Sequence, residues 1–269
     1  MRARAKGGFD RQTIPLQQGV IYGPVTSRRL GRSLGLNPLP GEIKLCSLNC
    51  RYCQYGWTGM LQAPAANGGK FFPARREIFD ELSRILAAMA KAKKPPDTIT
   101  FSGNGEATLH PKFPEIVSDV IGLRDTYAPE CRTAILSNST ALGSKIVREA
   151  ILKLDDPILK LDAGTEETFK KLNAPAPGIL FSRVLAGLKA IGPRAIIQSL
   201  FVTGGVDNTL PEEVGAWLRA VVSVAPREVQ IYTLDRGPAD GSLKPVPIKR
   251  LEAIAEELRA AGVAARVFV

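Results

Sequence analysis

The chain alternates between short apolar or β-branched runs and longer amphipathic segments over most of its length. From Thr98 onward, the short runs start at positions 98, 133, 158, 195, 229 and 265, so successive starts are 25 to 37 residues apart. This spacing suits right-handed crossovers in which a helix connects neighbouring strands of a parallel sheet. No motif repeats with the same period, so the spacing is not a solenoid signature. The pattern predicts an α/β fold whose parallel sheet is open or curled into part of a barrel.

Seven segments have the composition of strands, and six have the periodicity of helices. The predicted strands are Glu42–Leu45, Thr98–Ser102, Thr133–Ser137, Ile158–Asp162, Ala195–Val202, Val229–Leu234 and Ala265–Val269. The predicted helices are Ala74–Ala92, Pro114–Arg124, Ser144–Leu154, Leu180–Ile191, Pro211–Val224 and Ile248–Ala261. The interval Gln54–Pro73, which contains Asn67-Gly68-Gly69, is predicted to be a long loop or a small hairpin. Because such sheets bind ligands at the carboxyl ends of their strands, functional residues are expected there.

The 269 residues are 45% hydrophobic and 23% charged, which is typical of a soluble protein with a substantial core and excludes a disordered or collagen-like chain. The length fits one α/β domain over residues 1–269, with 1–40 as a basic N-terminal extension and 237–269 as a C-terminal helix and strand. No run approaches the roughly 18 apolar residues of a membrane span, and residues 1–20 lack the apolar core of a signal peptide. We therefore expect a cytoplasmic protein with no membrane partner.

The net charge of +10 is unevenly distributed along the chain. Residues 1–60 hold 9 basic and 2 acidic side chains, whereas residues 61–269 hold 27 and 24. A patch containing Arg28, Arg29 and Arg32 would attract RNA or a phosphorylated partner. A solvated face that aids solubility is the alternative interpretation.

Three of the four cysteines form a C-x3-C-x2-C motif, Cys46, Cys50 and Cys53, directly after the first predicted strand. Four cysteines are too few for a disulfide scaffold, and clustered thiols in a reducing compartment indicate metal ligands or redox groups. The fourth, Cys131, precedes a strand and should lie at the opposite, amino-terminal edge of the sheet. It is predicted to be a buried thiol without a role in the chemistry. An iron–sulfur cube held by three thiolates leaves one iron open to a small molecule, which is typical of a catalytic site. A zinc site completed by a distant residue and a chance cluster are the alternatives.

The cysteine motif, with the aromatic residue Tyr52 before its last cysteine, resembles the signature of the radical S-adenosylmethionine (radical SAM) enzymes. The resemblance implies a partial (βα)6 TIM-like barrel with one [4Fe-4S] cluster held by the three cysteines of the motif. It also implies that the free iron chelates S-adenosylmethionine, and that one-electron reduction yields methionine and a 5′-deoxyadenosyl radical, which abstracts hydrogen from a substrate. A small electron donor such as a ferredoxin or flavodoxin is implied as a partner, because the chain has no second redox centre.

Further cofactor-binding residues follow from the same resemblance. The stretch that ends in Glu106 is similar to the family's glycine-rich segment, whose glutamate holds the methionine amino group, and the backbone near Tyr232 matches the adenine-contacting position. Hydroxyl and amide side chains at the third strand end suit a ribose and a carboxylate, and Gln198 is predicted to line the cavity. The predicted cofactor-binding residues are Tyr52, Gly103, Asn104, Gly105, Glu106, Ser137, Asn138, Gln198 and Tyr232. Helix caps, turns and an exposed strand-end acid are the alternatives.

Two residues are predicted to act on the substrate. Asp162, at the end of the predicted strand Ile158–Asp162, would touch the substrate or the radical. Arg236 could hold an anionic substrate. A simple Asp235–Arg236 surface pair is the alternative for the latter. The only histidine, His110, is predicted to be a hydrogen-bonded scaffold residue, and Tyr55 and Trp57 either shield the cluster or pack on the core.

Within the family, two segments are similar to small proteins named for their likeness to tRNA wybutosine synthases. These segments are Gly23–Gly35 and Ile231–Arg236. The second-cluster cysteines of the archaeal enzyme and the flavodoxin-like domain of the eukaryotic one are missing, so wybutosine chemistry itself is not expected. Two other functions remain open: a basic RNA-binding protein with a structural metal site, and an iron–sulfur electron carrier with Cys131 as fourth ligand.

Overall fold

A computed structural model describes residues 12–64 and 72–268. Its strands are β1 (Ile21–Ser27), β2 (Gly31–Leu36), β3 (Leu45–Cys46), β4 (Met60–Leu61), β5 (Thr98–Phe101), β6 (Arg132–Ser137), β7 (Asp156–Lys160), β8 (Ile196–Leu200), β9 (Val202–Gly204), β10 (Glu228–Tyr232), β11 (Leu243–Pro245) and β12 (Ala265–Phe268). Its α-helices are α1 (Arg75–Lys91), α2 (Phe113–Tyr127), α3 (Lys145–Leu152), α4 (Glu166–Asn173), α5 (Phe181–Ile191), α6 (Pro211–Val224) and α7 (Ile248–Ala260). The predicted turn Asn67-Gly68-Gly69 and the strand residue Val269 lie outside the described residues.

The main sheet has eight strands in the order β1-β2-β5-β6-β7-β8-β10-β12. All neighbours from β2 to β12 are parallel, and only β1 runs antiparallel, to β2. Five successive connections from β5 to β12 contain helices, as crossovers in a parallel sheet require. The prediction of an α/β fold with a parallel sheet is therefore confirmed.

The two faces of the sheet differ in chemistry because successive side chains of a strand point to opposite sides. One face is apolar and packs against the helices in a single large core; it carries Ile99, Phe101, Ile135, Leu159, Ile197 and Ile231. The other face carries polar residues. Ser33 and Thr100 share a hydrogen bond of 2.7 Å there, and Lys160, Gln198 and Gln230 are register partners in one row across β7, β8 and β10. We call this second side the concave face.

The sheet curls so that its first hairpin reaches its last strands. Arg28 Nη2, in the turn between β1 and β2, lies 3.1 Å from Asp235 Oδ2 just after β10. The neighbouring Arg29 Nη1 lies 3.5 Å from Gln230 Oε1 of β10. These contacts join the two sides through side chains, whereas β1 and β12 have no backbone pairing with each other. This curl matches the partial barrel that the resemblance implied, without closure by a continuous ladder.

The first parallel strand differs from the prediction. It is Gly31–Leu36, within the segment described above as an N-terminal extension, whereas only Leu45 of the predicted Glu42–Leu45 is in a strand. Glycine and arginine lower the strand propensity of the Gly31–Leu36 sequence. The tertiary structure compensates: the Tyr22 ring of β1 covers Gly35 so closely that a Cβ there would overlap the ring.

The sequence analysis also assigned no element to Glu166–Asn173, which is helix α4. Thr165 caps this helix by accepting a hydrogen bond from Thr168 N at 3.1 Å. None of the helices in the described part of the chain combines the length and the apolar character needed to cross a bilayer.

Candidate active site

The cysteine motif is fixed between the end of β5 and the end of α4. On one side, Leu45 N donates to Asn104 O at 2.9 Å, and Glu106 N donates to Leu45 O at 3.1 Å. On the other side, Asn49 N and Arg51 N donate at 3.0 Å to the last carbonyls of α4, on Asn173 and Leu172. Helix ends leave such carbonyls without intrahelical partners, so the motif backbone caps α4 while α4 fixes the motif.

Gly103 and Gly105, in the segment predicted to bind the cofactor, allow close packing between the end of β5 and the cysteine motif. Gly105 has φ +143°, and a Cβ at this position would overlap the Leu45 carbonyl oxygen, one residue before Cys46. Gly103 has φ +140°, and a Cβ there would overlap the side chain of Asn37. Only glycine combines these backbone angles with so close an approach, so the stretch lets β5 and the cysteine motif pack directly together.

Asn104 lies between the two glycines and is fully buried. Its Nδ2 donates to Gln17 O and Pro40 O, both at 2.8 Å, and its Oδ1 accepts from Gln17 N at 2.7 Å. Its side chain therefore holds the N-terminal segment on the strand end, while its backbone N–H donates to Asn37 Oδ1 at 3.1 Å.

Two of the three motif thiols are buried, and an asparagine amide contacts each of them. Asn138 Nδ2 lies 3.5 Å from Cys46 Sγ, and Asn173 Nδ2 lies 3.4 Å from Cys50 Sγ. Burial raises the pKa of Cys46 to about 12 and the pKa of Cys50 to about 11. Cys53 is partly exposed. Without a metal, the two buried thiols stay protonated at neutral pH; a bound metal would displace these protons.

The donor set fits an iron–sulfur cluster better than a single metal ion. Across residues 12–64 and 72–268, no three Cys, His, Asp or Glu side chains converge closely enough to hold one ion. Thiolates are the usual ligands of iron–sulfur clusters, and amide N–H groups directed at their sulfurs are typical of the surroundings that tune such clusters. Three thiols with amide donors at two of their sulfurs therefore fit an iron–sulfur cluster.

Cys131 lies far along the sheet from this motif. It directly precedes β6, at the amino-terminal edge, and its Sγ contacts the Arg132 carbonyl at 3.4 Å. Burial raises its pKa to about 11. The structure thus places Cys131 at the edge opposite the motif, as predicted.

Glu106, Ser137 and Asn138 come together beside Cys46. The Glu106 carboxylate is buried; its Oε1 accepts from Ser137 Oγ at 2.9 Å and from Thr108 Oγ1 at 2.6 Å, and its Oε2 accepts from Asn138 N at 2.6 Å. Burial raises the pKa of Glu106 in spite of these hydrogen bonds, which favour the ionised form.

Asp162 is the centre of a second buried network. Its Oδ1 lies 2.8 Å from Lys160 Nζ and accepts from Leu200 N at 2.8 Å. Its Oδ2 accepts from Tyr52 Oη and, at 3.1 Å, from Asn173 Nδ2. Since Asn173 also contacts Cys50, this amide links the network to the cysteine motif.

Lys160 carries the network on to Tyr232. Its Nζ donates to Tyr232 Oη at 2.6 Å and lies 4.7 Å from the centroid of the Tyr52 ring. Burial alone would lower the pKa of Lys160, but the nearby Asp162 carboxylate outweighs it and raises the pKa. Burial raises the pKa of Tyr52 well above its ordinary value, and the Asp162 charge adds to this effect. The predicted residues Tyr52, Asp162 and Tyr232 therefore share one site.

Other predicted residues lie elsewhere or have a scaffold role. Gln198 is buried on the concave face among β7, β8 and β10, and Arg236 is exposed after β10. Asp235 forms a salt bridge with Arg28 at 3.1 Å, and the Asp235–Arg236 pair remains an alternative interpretation for Arg236. His110 Nδ1 accepts from Lys112 N at 2.9 Å and its Nε2 lies 3.0 Å from Pro73 O, so its predicted scaffold role is confirmed. Trp57 is 51% exposed and does not pack in the core.

Sequence reasoning missed Lys160, Asn173 and Arg29. A signal for Lys160 existed, since it interrupts the apolar strand Ile158-Leu159-Lys160-Leu161 at a position that faces away from the helices. Asn173 belongs to the unassigned helix α4. Arg29 was considered only as part of a surface patch, although its guanidinium contacts residues on the concave face.

The fold and the site define a class: an α/β protein whose parallel sheet carries a three-cysteine motif at the carboxyl edge of its strands. The chain belongs to the Radical SAM superfamily, whose family model matches residues 43–193, more than half of its length. This membership supports iron–sulfur and S-adenosylmethionine binding, as the cysteine motif predicted.

Two curated relatives share substantial sequence with this chain. The UPF0026 protein slr1464 of Synechocystis is 35% identical over 170 residues, which cover 63% of this chain and 58% of that protein. The GTPase Obg of Brachyspira hyodysenteriae is 30% identical over 237 residues, which cover 86% of this chain and 32% of that protein. The chain thus spans 32% of the length of one of these relatives and 58% of the other.

Solved structures show the same fold at low sequence identity. A radical SAM methyltransferase from Sphaerobacter thermophilus has a TM-score of 0.63 at 12% identity, over 88% of this chain and 65% of that one. SuiB of Streptococcus suis bound to S-adenosylmethionine has a TM-score of 0.60 at 14% identity, over 87% and 50%. Archaeal TYW1 has a TM-score of 0.53 at 13% identity, over 85% and 72%. This last likeness concerns the fold, so the wybutosine-synthase-like subgroup stays a prediction.

Proposed function

We propose that this chain binds a [4Fe-4S] cluster through Cys46, Cys50 and Cys53 and uses it to cleave S-adenosylmethionine reductively. Hydrogen abstraction from a further substrate would follow. The observation that carries the proposal is the docking of the cysteine motif against the end of β5, which brings Cys46 beside the Glu106–Ser137–Asn138 group. The resemblance of SuiB bound to S-adenosylmethionine supports the same assignment at the level of the fold.

Residues on both sides of the motif have separate tasks in this proposal. Glu106 Oε2 would accept from the methionine ammonium, whose positive charge would keep the buried carboxylate ionised. Asn138 joins this group to the cluster, since its backbone N–H donates to Glu106 while its side chain contacts Cys46 and Ser47. Ser137 orients the carboxylate from the other oxygen. The Gly103–Gly105 backbone would approach the ligand, and Gln198 and Tyr232 would contact its nucleoside or line the cavity.

A cluster held by the three cysteines would supply the electron for reductive cleavage of S-adenosylmethionine to methionine and a 5′-deoxyadenosyl radical. The electron would come from a ferredoxin or flavodoxin. Asp162, tied to Tyr52 and Lys160 inside the barrel, would face the substrate, and Arg236 at the rim would meet an anionic one.

Two rival functions have less support. An electron carrier would need Cys131 as the fourth cluster ligand, but Cys131 lies at the amino-terminal edge of the sheet. An RNA-binding protein would need a free basic surface. Of the patch predicted for this role, Arg28 pairs with Asp235, Arg32 donates to the carbonyls of Pro95 and Lys94, and Arg29 faces the barrel.

The test is chemical and uses the full chain, reconstituted with iron and sulfide without oxygen. After reduction with dithionite, formation of 5′-deoxyadenosine from S-adenosylmethionine is measured by liquid chromatography and mass spectrometry. We expect the product with wild-type protein, none with Cys46→Ser, Cys50→Ser or Cys53→Ser, and an unchanged yield with Cys131→Ala. An iron-loaded wild-type protein that forms no 5′-deoxyadenosine would overturn the proposal. Loss of the cluster in Cys131→Ala would favour the electron carrier.

A further inference from the structure

Arg29 is a cation on the concave face for which the described residues provide no carboxylate. It lies in the turn between β1 and β2, where Ser27 Oγ accepts from the N–H groups of Arg29 and Leu30, both at 3.2 Å. The salt bridge of Arg28 with Asp235 fixes the same turn against the loop after β10. The turn is thus held from two sides, and the Arg29 side chain extends over β8, β10 and β12.

Two aromatic rings and two glutamine side chains surround the Arg29 guanidinium. Its central carbon lies 5.3 Å from the ring centroid of Tyr232 and 6.0 Å from that of Phe268. Nη1 lies 3.5 Å from Gln230 Oε1. With the Gln198 amide oriented so that its oxygen faces Arg29, that oxygen accepts from both Nη1 and Nη2, the latter at 3.0 Å.

Two N–H groups of the Arg29 guanidinium take no part in these contacts. A guanidinium has five N–H groups, and these glutamine contacts engage three of them. Within residues 12–64 and 72–268, Nε and the second N–H of Nη2 have no recorded acceptor. These two groups are adjacent and parallel, which is the geometry that binds the two oxygens of a carboxylate or phosphate.

The charges around Arg29 favour an anion. The acidic side chains at the two ends of β7 and at the start of β10 already have basic partners among the described residues. These pairs are Asp162 with Lys160, Glu228 with Arg266, and Asp156 with both Arg132 and Arg227. Arg29 remains as an additional positive charge among the described residues, and burial lowers its pKa.

Arg29 also lies close to the Asp162 network. Lys160 Nζ is 4.8 Å from the Tyr232 ring centroid and the Arg29 guanidinium carbon is 5.3 Å from it, so the two cations are at most about 10 Å apart. Gln198, which contacts Arg29, is the register partner of Lys160 on the neighbouring strand. One small molecule could therefore contact Arg29 at one end and Asp162 at the other.

We propose that Arg29 is the anchor of an oxyanion subsite on the concave face, and that it binds a carboxylate or phosphate group of the substrate. The inference rests on the proposed function, because the molecule so held is the one placed beside Asp162 for hydrogen abstraction. Arg29, on the sheet face, and not only Arg236, at the rim, then selects anionic substrates.

The experiment measures binding of inorganic phosphate and of acetate to the full chain by isothermal titration calorimetry, at ionic strength held constant with sodium chloride. We expect wild-type protein to bind at least one of the two anions, and Arg29→Gln to bind it at least about tenfold more weakly. Arg29→Lys keeps the charge but loses the paired donors, so its affinity should lie between those two. Arg84→Gln, an exposed arginine of helix α1 that pairs with Glu81, is the matched control and should stay within about twofold of wild type.

The outcomes separate this inference from the proposed function. Stronger binding of phosphate would point to a phosphorylated substrate, and stronger binding of acetate to a carboxylate. Equal affinity of wild type and Arg29→Gln, or no wild-type binding of either anion up to about 50 mM, overturns the subsite. Circular dichroism shows whether each variant is folded, and Arg29→Lys decides the case if Arg29→Gln is not. Formation of 5′-deoxyadenosine by wild-type protein is measured separately, so a failure of the radical chemistry is seen independently of anion binding.

Discussion

Lys160 Nζ lies 2.8 Å from Asp162 Oδ1, and the Asp162 side chain is 1% exposed. Lys160 is the last residue of strand β7 and Asp162 follows two residues later, so a short stretch of backbone positions both on the concave face. Tyr52 from the cysteine motif and Tyr232 from β10 complete the network around them. The ion pair therefore connects the cysteine motif to strand β10.

Asp162→Asn should destabilise the protein by about 3 kcal/mol, because it leaves the buried Lys160 ammonium without a countercharge. Urea unfolding followed by circular dichroism measures the change. Asp80→Asn is the control: Asp80 forms an equally short, 2.8 Å pair with Arg76, but both side chains are mostly exposed, so the loss should stay below about 1 kcal/mol. Equal effects of the two substitutions would contradict a special role for the buried pair.

Asn173→Leu should lower the reduction potential of the reconstituted cluster. The Asn173 amide donates to Cys50 Sγ, and hydrogen bonds to cluster sulfurs stabilise the more negative, reduced state. A redox titration followed by electron paramagnetic resonance measures the potential. Asn49→Leu is a suitable control, since the Asn49 side chain lies in the same loop but accepts from Thr58 N at 2.8 Å. A potential unchanged by Asn173→Leu would show that this hydrogen bond does not reach the cluster.

Gly105→Ala should displace the cysteine motif from the end of β5. A Cβ would overlap the Leu45 carbonyl, and φ of +143° is strained for alanine, so we expect a loss of about 2 kcal/mol or more and incomplete iron loading. Thermal unfolding and iron content are the measurements. Gly122→Ala, in helix α2 with no atom within 4 Å of the added Cβ, should instead stabilise by about 0.5–1 kcal/mol. A Gly105→Ala variant with normal iron content would refute the close-approach argument.

The single histidine gives a pH-dependent prediction. Burial lowers the pKa of His110 below its ordinary 6.5, and protonation would also remove the Nδ1 lone pair that accepts from Lys112 N. Below pH 6.5 the unfolded chain therefore binds this proton more readily than the folded one. The contribution of His110 to stability is complete above pH 6.5 and is lost as the pH falls toward the folded-state pKa.

Nuclear magnetic resonance can follow this one imidazole directly, and its midpoint should lie below 6.5. The free energy of unfolding of His110→Asn should fall less than that of wild type between about pH 7 and pH 5. A midpoint at or above 6.5 would contradict the prediction.

Much of the architecture could be predicted from local patterns. The six strands from Thr98 onward and the six predicted helices begin and end within three residues of the observed elements, with Val202 as the start of a separate strand, β9. Their apolar periodicity reflects burial against the same core. Strand β2 escaped prediction because its stability comes from Tyr22 packed over Gly35 and from pairing with β5, which are contacts between separate segments.

The candidate site also has parts that the sequence predicted and parts that it did not. The cysteine motif and the polar residues after β5, β6 and β7 are visible in the sequence because spacing along the chain alone places them at one edge of a parallel sheet. The role of Asn104 was not visible, since its buried amide binds the backbone of Gln17 and Pro40.

The sequence by itself determined the six main-sheet strands from Thr98 onward, most of the helices between them and the edge at which the three-cysteine motif lies, because covalent spacing and side-chain periodicity act locally. Only the tertiary structure decided that Asn173, 123 positions from Cys50, touches its sulfur, and that Arg29, 201 positions from Gln230, reaches across the barrel to it. Those contacts depend on how strongly the sheet curls and on where α4 ends. Both result from packing between segments that are far apart in the chain, which no local pattern records.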